Sequence, residues 1–188
     1  MKAVVQDVYG SADVLQLRDI PTPAPADGEV LIRVRAAGVD QGVWHLMTGM
    51  PYLVRLFGFG LKKPKVPVRG REVAGVVEAV GAGVTRFQSG DEVFGTCEGS
   101  FAEFVCAEED LVARKPANLT FEETAAAPIS AVTALQAVRD AGKVGAGQKV
   151  LVIGAGGGVG SFAVQLAKAF GAEITGVCST GKMDLVRS

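Results

Sequence analysis

The residues best suited to chemistry in this chain are glycines, in the stretch VLVIGAGGGVG at 150–160. A phosphate group is bound by backbone N–H groups with no side chain in the way, and glycines between a strand and a helix meet both needs. The GxxGxxG spacing therefore predicts a nucleotide-phosphate loop, and the alternative is a plain tight turn. The residues that would hold the phosphates are Gly154, Gly156, Gly157, Gly158, Val159 and Gly160.

The stretch VCSTGK at 177–182 would meet the ribose of a bound dinucleotide. Enzymes that use NAD place an acidic residue about 20 residues after the loop, where it bonds the ribose 2′-OH. Here Ser179, Thr180 and Lys182 are hydrogen-bond donors, and no acid lies among them. A negatively charged 2′-phosphate favours such donors, so the stretch predicts NADPH as the cofactor. The alternative is a polar loop with a solvated lysine.

Near residue 117 the sequence changes from short strand-like runs to helical spacing. The elements that must position the glycine loop lie after this change. The apolar run VLVIG is typical of a parallel strand that is buried on both faces. A helical pattern follows it, then a second strand and the start of another helix, so 149–188 is predicted to be a βαβ unit with a fragment added. The second half of a dinucleotide-binding sheet is missing, and the sequence is therefore expected to be a truncated one.

Two helices are predicted before this unit. Thr120 and Glu123 form the Thr-x-x-Glu pattern of a capping box, which starts the first helix. Pro128 is expected to interrupt it. The stretch 130–142 then predicts a second helix that ends at Gly142.

Residues 1–115 are predicted to be mainly β. Short alternating runs are separated by turns rich in glycine and proline, as in VLIRVRAAGV at 30–39, where Val30 and Ile32 lie opposite Arg33 and Arg35. Strands this short and evenly spaced indicate a small, partly closed β-barrel.

Composition excludes several other classes of function. The net charge of −1 over 188 residues argues against nucleic acid or an anionic membrane as a partner. The chain shows no signal peptide pattern and no apolar run long enough to cross a bilayer. Its three cysteines form no CxxC pair and are expected to be buried or free thiols in a reducing compartment, with the cytoplasm as the expected location.

The chain resembles the medium-chain dehydrogenase/reductase superfamily, and most closely its zinc-free quinone oxidoreductase branch. Five matching stretches carry the resemblance in order along nearly the whole chain. They are GEVLIRVRAAGVD, GREVAGVVEAVGAGVTRFQSGDEVFG, GSFAEFVCA, AAAPISAVTALQAV and GAGGGVGSFAVQLAKAFGAEITGVCST.

This resemblance implies an α/β fold with a GroES-like, partly open β-barrel domain at 1–120. The linking helix and the incomplete start of a Rossmann domain, a doubly wound parallel sheet, would occupy 121–188. It implies NADPH in the cleft between the domains, a quinone or α,β-unsaturated carbonyl as acceptor, and a homodimer in the full-length parent. It also implies that Thr133 contacts the cofactor near its nicotinamide, although helical spacing alone favours a bond from Thr133 to its own backbone.

The sequence lacks the residues that bind zinc in related enzymes. Zinc alcohol dehydrogenases of this superfamily carry Cys where this chain has Asp40, and His where it has Arg71, whose guanidinium does not ligate metals. The single histidine, His45, is expected to be an ordinary helix residue. The four clustered cysteines of a structural zinc site are absent from the sequence.

The resemblance also suggests where a substrate would lie. Asp40, Trp44 and Tyr52 match the region that lines the cleft in the family, and the two rings would stack on a flat substrate. Their alternative role is packing under a long loop. The apolar run at 51–61 is expected to be a substrate cover or a partner surface. Two other functions stay open, a zinc-independent alcohol dehydrogenase-like enzyme and a non-catalytic binding module.

Overall fold

A computed structural model describes residues 1–53 and 55–187 of the chain. The chain divides into two compact units, the first covering Met1–Pro128 and the second beginning at Ile129. The sequence places the domain boundary at 120. The helix that follows residue 120 lies with the first unit, where it contacts three of the strands.

The first unit is built from antiparallel strands. A two-stranded ribbon precedes a five-stranded sheet with the order β6-β3-β4-β5-β7. Single bridges join the ribbon to Ala102 and Val68, so within 1–53 and 55–187 no continuous ladder closes the ring of strands. The strands are β1 (Lys2–Val5), β2 (Gln16–Asp19), β3 (Glu29–Gly38), β4 (Glu72–Val80), β5 (Glu92–Thr96), β6 (Phe104–Glu108) and β7 (Val112–Arg114).

The core of this unit follows from the alternation along β3. Val30 and Ile32 are fully buried among valines of β4, β5, β6 and β7, whereas Arg33 is exposed. Leu31 departs from the alternation because it is also buried. Ile32 pairs with Val77 of β4 on one side and with Val105 of β6 on the other, so it lies at the centre of the sheet.

Two short helical segments follow β3. Helix α1 (Gln41–Thr48) contains His45, as predicted, and ends at Gly49, whose φ of +64° is the left-handed conformation that glycine adopts readily. A π-helical turn then spans Arg55–Phe59, inside the apolar run at 51–61. Val54 of that run lies outside the described residues.

The helical region after β7 differs from its prediction in one respect. Helix α2 (Phe121–Ala125) begins with the predicted capping box of Thr120 and Glu123. Pro128 is the first residue of α3 (Pro128–Leu135), so it starts this helix two residues before the predicted position. Proline is favoured there because its missing N–H has no partner to lose in the first turn. A π-helical turn, Gln136–Ala141, continues α3 to Gly142.

The capping box yields a stability prediction. The Thr120 hydroxyl accepts from the N–H of Glu123, and the Glu123 carboxylate accepts from the N–H of Thr120. Thr120→Ala should lower the free energy of unfolding by about 1 kcal/mol, measured by urea denaturation. Ser11→Ala is the matched control because the hydroxyl at that helix start makes no capping bond. Equal losses in the two variants would contradict the role given to Thr120.

The second unit contains a parallel pair of strands around one helix. Strands β8 (Lys149–Ile153) and β9 (Glu173–Val177) pair in register, with Ile153 opposite Val177. Helix α4 (Gly158–Ala169) connects them, and α5 (Met183–Arg187) follows a single 3-10 turn. This is the predicted βαβ unit.

The prediction that β8 is buried on both faces is wrong for this chain. Leu151 is 61% exposed and Ile153 is 79% exposed. Parallel strands are usually covered on both faces by the helices of a doubly wound sheet. In the described part of the second unit, α4 makes the main contacts with this two-stranded sheet, and Leu151 and Ile153 of β8 remain uncovered.

Candidate cofactor and substrate sites

The glycine loop connects β8 to α4 and is held by backbone hydrogen bonds. Gly154 has a φ of +81°, which lets the chain turn sharply out of β8. The N–H groups of Gly154 and Ala155 both donate to the carbonyl of Val177, each at 2.9 Å, and the N–H of Gly157 donates to the carbonyl of Gly154. The loop is therefore fixed to the carboxyl end of the neighbouring strand.

The loop ends at an uncapped helix start. Gly157 is the N-cap of α4, and it has no side chain with which to cap the N–H groups of the first turn. The first helical bond is made by Ser161, whose N–H donates to the carbonyl of Gly157. The N–H groups of Gly158, Val159 and Gly160 therefore face outward at the positive end of the helix dipole, which attracts an anion.

The other glycines keep this surface free of side chains. A Cβ on Gly160 would press on the carbonyl oxygen of Gly154 and lie 2.8 Å from its carbon. A Cβ on Gly156 would lie 2.8 Å from Cδ of Lys182, and one on Gly158 would lie 2.9 Å from Oγ of Ser130. Side chains at Gly156, Gly158 and Gly160 would therefore crowd the loop, and the phosphate cradle stays a prediction.

Ser179, Thr180 and Lys182 lie directly after β9, where the carboxyl ends of the two strands meet. The ammonium of Lys182 donates to the carbonyl of Gly156 at 2.9 Å. This bond brings Lys182 to the glycine loop. It also leaves two of the three ammonium N–H donors for another acceptor.

Thr133 has the local contact that helical spacing favours. It lies exposed on α3, and its hydroxyl donates to the carbonyl of Ile129 at 2.7 Å. The hydroxyl oxygen can still accept a hydrogen bond, but its proton is already used.

The three predicted substrate residues have different surroundings within the first unit. The carboxylate of Asp40 accepts from the N–H of Val43 at 2.7 Å and so caps α1. Trp44 is 46% exposed one turn further along, and its ring meets that of His45 edge-on. Tyr52 is 67% exposed, and its ring stacks on the guanidinium of Arg55. Asp40 and Trp44 are thus neighbours on one helix, and Tyr52 belongs to a separate cluster.

Sequence reasoning missed a pocket in the same unit. It has a volume of about 170 Å³, and Arg69 lines it with only 7% of its surface exposed. Burial lowers the pKa of the Arg69 guanidinium, although nearby Tyr9 and Glu98 act in the opposite direction. The sequence signal was the run KVPVRGR, with cations at 65, 69 and 71. The described residues that line the pocket are Val43, Leu46, Phe59, Lys65, Val66, Val68, Arg69, Gly70, Arg71, Glu98 and Gly99.

The cysteines and acids of the described residues form no group that could hold a metal ion. Cys97, Cys106 and Cys178 are all free. Burial raises the pKa of Cys97 to about 12, so its thiol stays protonated at neutral pH. No helix within 1–53 and 55–187 is both long and apolar enough to cross a membrane.

Comparison with known proteins agrees with this architecture. Residues 26–117 match the alcohol dehydrogenase GroES-like domain. Quinone oxidoreductase of Homo sapiens is 40% identical over 184 residues, which cover 96% of this chain and 53% of that protein. The CurK enoyl reductase structure superposes with a TM-score of 0.91 at 29% identity, covering 99% of this chain and 56% of that one.

Two further solved structures bear on the cofactor. A mycobacterial protein complexed with NADPH has a TM-score of 0.85 at 32% identity, over the whole of this chain and 55% of its own. An NAD-dependent alcohol dehydrogenase has the same TM-score at 33% identity, over the whole of this chain and 61% of its own. The chain spans about half the length of the curated relatives it matches.

The fold and these matches place the chain in the medium-chain dehydrogenase/reductase family, with a GroES-like domain followed by the first strands of a Rossmann-like sheet. Within that family, its matched relatives are named quinone oxidoreductases and enoyl reductases. The predicted family and fold class are confirmed.

Proposed function

We propose that this chain carries the cofactor loop and the acceptor-binding domain of an NADPH-dependent oxidoreductase. The reaction is transfer of hydride to a quinone or an α,β-unsaturated carbonyl, without zinc. The observation that carries the proposal is the uncapped, side-chain-free start of α4 beside the donors that follow β9.

The residues present fit a dinucleotide. The pyrophosphate would lie against the backbone of Gly156–Gly160, where any Cβ at Gly160 would collide with the loop. Bound NADPH supplies the hydride, and the protein's task is to orient the nicotinamide and exclude water. Thr133, on α3, is proposed to accept a hydrogen bond near the nicotinamide, since its proton is already used on Ile129.

The preference for NADPH over NADH is supported by charge at the end of β9. Lys182 is cationic, and Ser179 and Thr180 add hydroxyl donors, whereas the strand end carries no acid to bond a ribose 2′-OH. A 2′-phosphate would receive charge-assisted hydrogen bonds from these groups. The competing interpretation is that Lys182 only fixes the loop through the carbonyl of Gly156.

Zinc independence is supported by what occupies the family's ligand positions. The Asp40 carboxylate is engaged as the cap of α1, and Arg71 is a permanent cation. Quinone and enone acceptors are supported by the relatives' names, and Trp44 and Tyr52 offer exposed rings to a flat acceptor. The proposal also includes a homodimer at full length and a cytoplasmic location. The free cysteines support the location, because thiols stay reduced in the cytoplasm.

A titration of the 188-residue chain with NADPH and with NADH, followed by nicotinamide fluorescence, tests this proposal. We expect saturable binding that is tighter for NADPH. Lys182→Met should weaken NADPH binding about tenfold and leave NADH binding unchanged, because charge-assisted bonds to the 2′-phosphate are lost. Lys168→Met is the matched control, since Lys168 is exposed in the last turn of α4. Equal losses for the two cofactors would show that Lys182 only fixes the loop.

Turnover separates the proposal from its alternatives. Oxidation of NADPH on addition of a quinone supports the reductase. Reduction of NAD⁺ on addition of an alcohol would instead favour the alcohol dehydrogenase-like enzyme, a reading that the NAD-dependent structural match supports. A non-catalytic binding module would do neither.

A further inference from the structure

Arg69 is a buried cation without adequate partners. Its backbone is fixed on both sides, because its N–H donates to the carbonyl of Val4 and its carbonyl accepts from the N–H of Phe101. Its guanidinium offers five N–H donors. Among the residues that the structure describes, Nη1 donates to the carbonyl of Leu46 at 3.5 Å, and Nε is buried with no hydrogen-bond partner.

No ion pair compensates this charge within the described part of the chain. The ion pairs found there involve other residues. The carboxylate of Glu98 interacts electrostatically with Arg69, but Glu98 is exposed on the pocket rim. A buried charge is normally paired or fully hydrogen-bonded, because removing it from water is expensive. The guanidinium of Arg69 therefore lacks a counter-charge among the described residues.

The pocket that Arg69 lines is large enough for a small molecule. Its volume of about 170 Å³ is several times the roughly 30 Å³ that one water takes up in the liquid. Val43, Leu46 and Val68 give it an apolar wall. Lys65 and Arg71 add two exposed cations at the rim, against the single carboxylate of Glu98.

We propose that this pocket binds the carboxylate of a small, mostly apolar molecule, with Arg69 as its buried recognition group. The planar fork of a guanidinium matches the two oxygens of a carboxylate, and the apolar wall takes the rest of the molecule. Inorganic phosphate has no apolar part to contact this wall, which favours an organic carboxylate. The inference rests on contacts within the first unit and stands independently of cofactor binding.

A pair of probe ligands tests the pocket in the intact 188-residue chain. Benzoate and benzamide have nearly the same shape and differ in charge. In chloride-free buffer, amide NMR titration should show saturable benzoate binding with shifts at residues 66–71, and benzamide binding at least about tenfold weaker, since hydrogen bonds to a charged group are the stronger kind. Equal binding of the two, or shifts elsewhere only, would overturn the proposal.

Variants of Arg69 distinguish a role in binding the carboxylate from a purely structural role. Arg69→Met should abolish the preference for benzoate over benzamide, and Arg35→Met, at an exposed arginine, should retain it. If Arg69→Met does not fold, Arg69→Lys serves, because it retains the charge and loses the fork, and it should weaken benzoate several-fold. A preference unchanged in the Arg69 variant would mean that Arg69 only stabilises the end of α1. Inorganic phosphate that binds as well as benzoate would overturn the choice of a carboxylate.

Discussion

Replacing Gly160 by alanine is expected to abolish measurable NADPH binding by this chain. The new Cβ would press on the carbonyl oxygen of Gly154 and lie 3.0 Å from Cα of Ala155. All these atoms are backbone, and no rotamer change relieves the contact. The loop must open, and the N–H groups at the start of α4 then no longer converge on a phosphate. A loss of at least about tenfold in affinity corresponds to only ~1.4 kcal/mol, which a displaced loop readily exceeds.

The measurement is the same fluorescence titration, with circular dichroism to verify that the variant folds. Gly145→Ala is the matched control, because a Cβ there meets nothing within 4 Å and the residue belongs to the same unit. NADPH affinity should stay within about twofold of the parent chain in this control. If the Gly160 variant folded and bound NADPH normally, the glycine loop would be an ordinary turn and the proposed cofactor site would be wrong.

Ile32→Ala should cause the largest loss of stability in the first unit. Ile32 is fully buried at the centre of the five-stranded sheet, between Val77 and Val105. Truncation removes three methyl or methylene groups from a close-packed core and leaves a cavity that the sheet closes only partly. We expect the free energy of unfolding to fall by about 3 kcal/mol.

Urea denaturation followed by circular dichroism measures this loss. Leu17→Ala is the control for an apolar truncation at the surface, since Leu17 is 68% exposed on the ribbon, and its effect should stay below about 0.5 kcal/mol. A similar small effect for Ile32 would mean that the core of the unit does not lie where β3 crosses the sheet.

Features that depend on neighbouring residues in the chain were predictable from the sequence. The exposed arginines of β3 follow from side chains that alternate along a strand. The turn at Gly154 follows from a conformation that glycine adopts at little cost. The capping box at Thr120 needs only a residue three positions away.

Features that depend on distant residues were not predictable in this way. The exposure of Ile153 depends on how many strands and helices cover β8. The apolar composition of β8 does not give that number. The burial of Arg69 needs Leu46, Val4 and Phe101, which the fold brings together from three separate segments.

The carbonyl of Val177 has a consequence for how cofactor preference can evolve. It holds the glycine loop through two backbone N–H donors, and these two bonds are the same whatever side chains occupy positions 179–182. The bond from Lys182 to the carbonyl of Gly156 is the part of the anchor that depends on a side chain. In the proposed cofactor site, substitutions at Ser179 and Thr180 would therefore change the choice of coenzyme while every bond that holds the glycine loop is kept.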